Sequence, residues 1–176
     1  MKVFNWIGFP ILILFALVLI VAAFAPSRVE MKASATINAP DSVVFGMVNN
    51  LHAWEQWSPF AEGDSTMENQ FHGPDAGVGA QMFWTSKKQG DGMMIITRSE
   101  PYRRIVFALD FMKNGQASSE WIFEKQGKGV KVTWSTTVEG LSYPMGRIMG
   151  LFMNGMMQDS YERGFKNISS ICEEGM

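Results

Sequence analysis

Between Thr66 and Glu139 the chain is a succession of short runs rich in β-branched, aromatic and alternating residues, separated by glycine-bearing breaks. Candidate strands cover residues 66–72, 80–87, 93–99, 104–112, 117–125 and 130–139. The breaks Gly90-Asp91-Gly92, Lys113-Asn114-Gly115 and Gly127-Lys128-Gly129 are hairpin chemistry, because glycine and asparagine accept the left-handed backbone that tight turns need. Connections that short join only antiparallel neighbours, since a parallel pair needs a crossover of about a dozen residues or more. An antiparallel sheet is therefore dictated, and every other element must fit around it.

Ahead of this run, residues 32–38 (KASATIN) alternate and read as a further strand. Pro40 suits an early helical position. Val43, Val44, Met47, Val48 and Leu51 then recur at helical spacing, predicting a short helix over 41–50. A second helical piece over 51–57 stops at Ser58-Pro59, because the residue before proline avoids the helical region. After Gly140 the period changes again. Met145, Ile148, Met149, Phe152, Met156, Phe165, Ile168 and Ile171 predict a long amphipathic helix over 144–172, in spite of Gly146, Gly150, Gly155 and Gly164. The expected class is α+β: a curved antiparallel sheet with a long C-terminal helix across it and two short helices closing one end.

No charged residue occurs from Val3 to Ser27. The apolar stretch from Trp6 to Ala25 is long enough, at about 1.5 Å per residue, to match a hydrocarbon core of about 30 Å. Trp6 sits where an amphipathic ring favours the interface, and Pro10 falls in the first turns. Residues 1–27 are thus expected to be a transmembrane anchor, with residues 28–176 as the attached domain. Ala23-Phe24-Ala25 also resembles a signal-cleavage site. The apolar run exceeds the signal core of about 7–15 residues, however, and Pro26 directly follows the cut. Lys2 on one side and Arg28 and Lys32 on the other give no clear positive-inside bias. The orientation expected of a short N-terminal anchor puts the domain outside the cytoplasm.

The 15 basic and 17 acidic side chains leave no patch basic enough for a nucleic-acid partner. The single Cys172 excludes an intramolecular disulfide and a cysteine zinc cluster, and two distant histidines make a poor metal site. No cofactor is implied.

The order of motifs resembles the START-like helix-grip (SRPBCC) superfamily, most of all its polyketide cyclase/dehydrase-like branch. The resemblance rests on Asn38-Ala39-Pro40 before a short helix and on Trp54-Glu55-Gln56-Trp57-Ser58-Pro59-Phe60. Gly79 with Met82 and Trp84, Glu100-Pro101, Trp121-Ile122-Phe123-Glu124 and Val132-Thr133-Trp134 extend it from Met31 to Cys172. It implies a helix-grip fold with an apolar cavity between sheet and long helix, and ligand binding more than any one reaction.

Strand alternation puts Met82 with Trp84, Trp121 with Phe123, and Val132 with Trp134 on shared faces. Turned towards the long helix, Met82, Trp84, Trp121, Phe123 and Trp134 would meet Met149, Phe152, Met153 and Met156 and line a pocket for a hydrophobic small molecule or lipid. Trp54, Trp57 and Phe60 are candidates for its mouth. The same side chains would serve equally as core. Acid–base chemistry would need His52, His72, Asp110, Glu120 or Glu139 facing inward. No catalytic triad order, phosphate loop or HExxH spacing is present, so no catalytic residue is assigned. The leading reading is a membrane-tethered ligand-binding domain. The alternatives are a cyclase or dehydrase acting on an apolar polyketide-like substrate and a ligand-free interaction module at the membrane.

Overall fold

The computed structural model describes residues 2–62, 64–112 and 115–174, with the side chains of residues 2–8 and 174 outside the description. The elements in chain order are α1 (Lys2–Phe24), β1 (Val29–Ile37), α2 (Asp41–Asn49), a 3-10 turn (Leu51–Ala53), α3 (Trp54–Trp57), β2 (Glu68–His72), β3 (Gln81–Thr85), β4 (Gly92–Glu100), β5 (Arg104–Asp110), β6 (Gln116–Gln126), β7 (Gly129–Val138) and α4 (Met145–Glu174). The seven strands form one antiparallel sheet in the order β1-β7-β6-β5-β4-β3-β2. β1 begins at Val29 rather than at residue 32, because Val29 pairs with Val138 and the strand follows β7 along its whole length. The turn expected at Lys113-Asn114 lies outside the described residues.

Register aligns inward side chains into rows that cross the sheet. One row runs Ala33, Trp134, Trp121, Ile105; the next runs Met31, Thr136, Ser119, Phe107, Ile96. A third row spans the whole sheet as Val29, Val138, Ala117, Leu109, Met94, Met82 and Phe71. The first row carries two tryptophans and is filled. The second and third carry serine, threonine and alanine at their centres, where the sheet offers little volume.

The helices close over the tryptophan row. Trp54 and Trp57 are buried, and their indole N–H groups donate to the carbonyls of Val48 and Met47, each at 2.9 Å. Those carbonyls lie in the last turn of α2, where a helix leaves its acceptors unpaired, so the contact caps α2 and fixes α3 at once. Trp121 and Trp134 stack with centroids 4.3 Å apart. Tyr161 and Phe165 of α4 pack on Trp134 at 4.5 and 6.3 Å. Gly164 lets the helix come this near, since a Cβ there would stand 3.1 Å from the Trp134 ring. At the Glu100-Pro101-Tyr102-Arg103 turn, Tyr102 takes φ 60°, a conformation that favours glycine. Its ring meets Phe45 edge-on at 5.5 Å, a contact that offsets the strain.

Among the described residues no helix is long and apolar enough to cross a membrane. α1 runs 23 residues from Lys2 to Phe24, with the side chains of residues 2–8, Trp6 among them, outside the description. The expectation of a membrane-spanning helix from Trp6 to Ala25 is not supported among the described residues. The last turns of α1 meet the start of α4. Ala22 and Ala25 are buried, and the Tyr143 hydroxyl donates to the Leu19 carbonyl at 3.1 Å.

Two glycines make opposite predictions. A Cβ on Gly129 would lie 2.6 Å from the Ile37 carbonyl oxygen, a backbone atom that cannot swing aside, whereas Gly46 in α2 has nothing within 4 Å. Gly129→Ala should lower stability by about 1–3 kcal/mol, and Gly46→Ala should raise it by about 1 kcal/mol through helix propensity. Urea denaturation of the two variants beside the parent measures both, and equal shifts would contradict this packing.

Candidate functional site

Where the central rows thin out, a cavity of about 200 Å³ remains between the sheet, α3 with the segment after it, and α4. Its apolar wall is Met82, Trp84, Met94, Phe107, Leu109 and Phe111 from the sheet, with Trp54, Phe60, Met67 and Met157 opposite. Rings stiffen the wall, with Phe60 edge-on to Trp134 at 6.1 Å and Trp84 edge-on to Phe111 at 6.0 Å.

Polar groups sit at two places. On the sheet, the Trp134 indole donates to Ser119 Oγ at 2.9 Å, and the Thr136 hydroxyl donates to the same oxygen at 3.3 Å. Ser119 in turn donates to the Ser135 carbonyl at 3.1 Å, so its hydrogen-bonding capacity is used up. Thr136 keeps acceptor capacity towards the cavity. The buried Tyr161 hydroxyl beside it has no well-formed partner. Burial pushes its pKa up, with Thr136 opposing, so it stays a neutral phenol. At the solvent side are Glu55, Asn69 and Gln89. Asn69 Nδ2 donates to Glu55 Oε1 at 3.3 Å, while Asn69 Oδ1 is buried without any partner.

A second polar cluster holds this side of the cavity closed. The buried Asp64 carboxylate accepts from the Thr66 backbone N–H at 3.0 Å, from the Thr66 hydroxyl at 2.6 Å and from the Ser86 hydroxyl at 2.5 Å. Ser86 Oγ then accepts from the backbone N–H groups of Lys88 and Gln89, and Gln89 Nε2 donates to the Phe60 carbonyl. The segment carrying Phe60 and Met67 is thereby tied to the β3–β4 turn. The hydrogen bonds from Ser86, and then those from Thr66, hold the Asp64 carboxyl below the usual carboxylate range.

The residues expected from the sequence separate into three groups. Met82, Trp84, Trp134, Trp54 and Phe60 line the cavity. Trp121, Phe123 and Trp57 are buried in the core beside it, and Met153 packs against that core from α4. Met149, Phe152 and Met156 are corrected outright: they are 52%, 63% and 66% exposed and take no part in the cavity. At about 100° per residue the middle of this set lies roughly 110° around α4 from the middle of Met153, Met157 and Tyr161, with Met149, about 40° from Met153, at the edge nearest the core. Ser119 and Thr136 share the alternating faces of Trp121 and Trp134 and line the cavity, whereas no sequence pattern points to Asn69, Met94 or Leu109 as lining. Their membership depends on register, which only the pairing of distant strands sets.

None of the five acid–base candidates lines the cavity. His52 pairs with Asp75 at 3.5 Å, and His72 lies edge-on to Phe83. Asp110 accepts from the Met112 N–H and from Gln116. Glu120 pairs with Arg104, and Glu139 with Arg28 at 3.3 Å. Glu55 is the one ionisable side chain among the described lining residues. Among the described residues no three His, Cys, Asp or Glu side chains gather as metal ligands.

A family model described as polyketide cyclase / dehydrase and lipid transport matches residues 28–173. Among curated proteins none matches. Solved structures of the same fold include a Thermus thermophilus protein at 17% identity, covering 83% of this chain and 98% of that one with a TM-score of 0.61. A Mesorhizobium loti protein aligns at 11% identity over 82% of this chain and 97% of that one, with a TM-score of 0.60. A protein from the dynemicin biosynthetic locus aligns at 14% identity over 83% of this chain and 48% of that one, with a TM-score of 0.57. At these identities the likeness establishes the fold alone.

The depressed Asp64 pKa sets a pH dependence. A carboxyl titrating lower when folded than its unfolded value of about 3.9 adds stability that is complete above that value and is lost as pH falls through the folded pKa. Asp64→Asn should therefore be less stable than the parent at pH 7, with the gap narrowing below about pH 4. Urea titrations of both proteins at pH 7 and pH 3 test this; a gap that stays constant would show that the carboxylate is not what ties the two segments.

Proposed function

The chain belongs to the polyketide cyclase / dehydrase and lipid transport family, and accordingly we propose that it holds a hydrophobic small molecule or lipid beneath α4 while α1 tethers it to a membrane. The observation that carries the binding reading is an apolar cavity with one buried, unpartnered acceptor, Asn69 Oδ1, at its side. A buried polar atom without a partner is costly, and a ligand donor meeting it removes that cost. The matching ligand has an apolar body and one O–H or N–H group. At about 200 Å³ the space is smaller than the usual 300–1,000 Å³ of drug-sized sites. A small ring system or one end of a lipid suits it.

The tether reading is supported by the surface of α1. Phe9, Leu12, Phe15, Ile20 and Phe24 are each more than half exposed, and they point in different directions around the helix. Such a surface calls for a lipid environment rather than water. Holding the domain at the bilayer raises the local concentration of any ligand drawn from it. The orientation this reading takes places the domain outside the cytoplasm.

A second reading keeps the site and adds a reaction. Glu55 is the lining residue able to move a proton, so a cyclase or dehydrase step on an apolar substrate would run through it.

Filling the cavity distinguishes binding from mere core. Leu109→Trp places an indole in the space while leaving the sheet's hydrogen bonds intact. Titration with 1-anilinonaphthalene-8-sulfonate should show the parent binding and the variant at least about tenfold weaker, which is about 1.4 kcal/mol. Equal binding by both, with circular dichroism unchanged, would place the ligand elsewhere. Glu55→Gln should retain probe binding on either reading, and turnover of an apolar substrate that vanishes in this variant would favour the enzyme.

A further inference from the structure

The first half of α4 is apolar on two sides. Met153 and Met157 face the core, yet Met145, Met149, Phe152 and Met156 are 67%, 52%, 63% and 66% exposed. Their spacing of four, three and four residues makes one continuous stripe, about 16 Å long, down the outer side of the helix. Exposed methionines and a phenylalanine in a row are not what a water-facing helix presents. Charge follows the same division. Arg147 is the single charged residue between Met145 and Met157, whereas Asp159, Glu162, Arg163, Lys166 and Glu173 crowd the second half.

The stripe also lies beside α1. The Tyr143 hydroxyl is bonded to the Leu19 carbonyl at 3.1 Å, and Leu19 stands five residues before the end of α1. With α1 in a bilayer, that bond holds Tyr143 roughly 7 Å inside the point where the helix emerges, at the depth where tyrosine rings favour the headgroup boundary. The Arg147 guanidinium lies over the Tyr143 ring at 5.9 Å, and its buried Nε has no hydrogen-bond partner. An arginine there can keep its charge among lipid phosphates while its stem stays in the apolar layer.

We propose that residues 143–156 lie in the headgroup boundary of the bilayer that holds α1, with Met145, Met149, Phe152 and Met156 turned into its apolar layer and Arg147 on a lipid phosphate. This rests on the tether reading above and goes beyond it, since a tether alone leaves the domain free to hang clear of the surface. A bilayer is the occupant that covers the stripe and the exposed sides of α1 together; a second copy seated on α4 would leave α1 uncovered.

Site-directed fluorescence on the full chain tests it. In a Cys172→Ala background, single cysteines replace Leu14, Met149, Phe152 and, on the far side of the sheet, Glu124, and each carries a polarity-sensitive nitrobenzoxadiazole label. The protein is reconstituted in phosphatidylcholine vesicles with and without doxyl-labelled acyl chains. Labels at 149 and 152 should shift to the blue and lose emission to doxyl lipid, as the label at 14 does, while the label at 124 does neither. Quenching at 14 without quenching at 149 and 152 would overturn the proposal and leave the tether standing. No quenching at 14 would overturn both. Self-quenching between copies labelled at 152, without an effect of doxyl lipid, would assign the stripe to a second copy and also overturn it.

Discussion

The packing of four tryptophans where the helices meet the sheet is the constraint on which the rest of the molecule depends. Trp121 and Trp134 stack on the sheet, and Trp54 and Trp57 come down on them from α3, with Trp57 edge-on to Trp121 at 5.6 Å. Each such ring buries about 150–250 Å², and each ring pair adds about 0.5–1.5 kcal/mol beyond area burial. All four lie in the buried hydrophobic core. Three of the four indole N–H groups are used to fix position: on Met47, on Val48 and on Ser119. The fourth, on Trp121, is buried without a partner. The stack acts as a rigid spacer. α4 rests on it through Tyr161 and Phe165 and is held at a set distance from the neighbouring rows.

That distance is why a cavity exists. Beyond the spacer the inward rows offer Ser119, Thr136 and Ala117, side chains too small to reach a helix propped up by indoles. Backbone pairing prevents the sheet from rising, and the aromatic stack prevents the helix from sinking. The space left is bounded by methionines, which adapt to irregular contents, and by Asn69 with an unsatisfied acceptor. Closure on the solvent side depends on a different interaction, the Asp64 carboxylate drawing Thr66 and Ser86 together. The core and the mouth are thus held by separate means, one apolar and one ionic.

Much of this is legible in the chain. Glycine-bearing turns and residue alternation locate all seven strands, and the change of period after Gly140 locates α4. Local signals carry such information because turn chemistry and side-chain period act over a few residues. The site is harder to read. Met82, Trp84 and Trp134 can be assigned to an inward face from alternation alone, but Ser119 and Thr136 are neighbours only through the register of β6 with β7. The Asp64–Ser86 contact joins residues with no shared pattern. On α4 the apolar positions form two stripes rather than one. Composition does not distinguish a core-facing methionine from an exposed one, which is why Met149, Phe152 and Met156 read as cavity residues until their exposure is set beside the packing of Met153 and Met157.

Occupancy of the cavity in the cell is the central claim. Native mass spectrometry of the full chain, extracted from membranes of the expressing cells in a mild detergent and released in the spectrometer, reads this directly. An occupied site predicts a reproducible adduct of one apolar molecule bearing a hydroxyl or amino group, lost in the cavity-filled Leu109→Trp protein. A bare chain mass from every preparation, unchanged after incubation with the lipids of the same membranes, would contradict it.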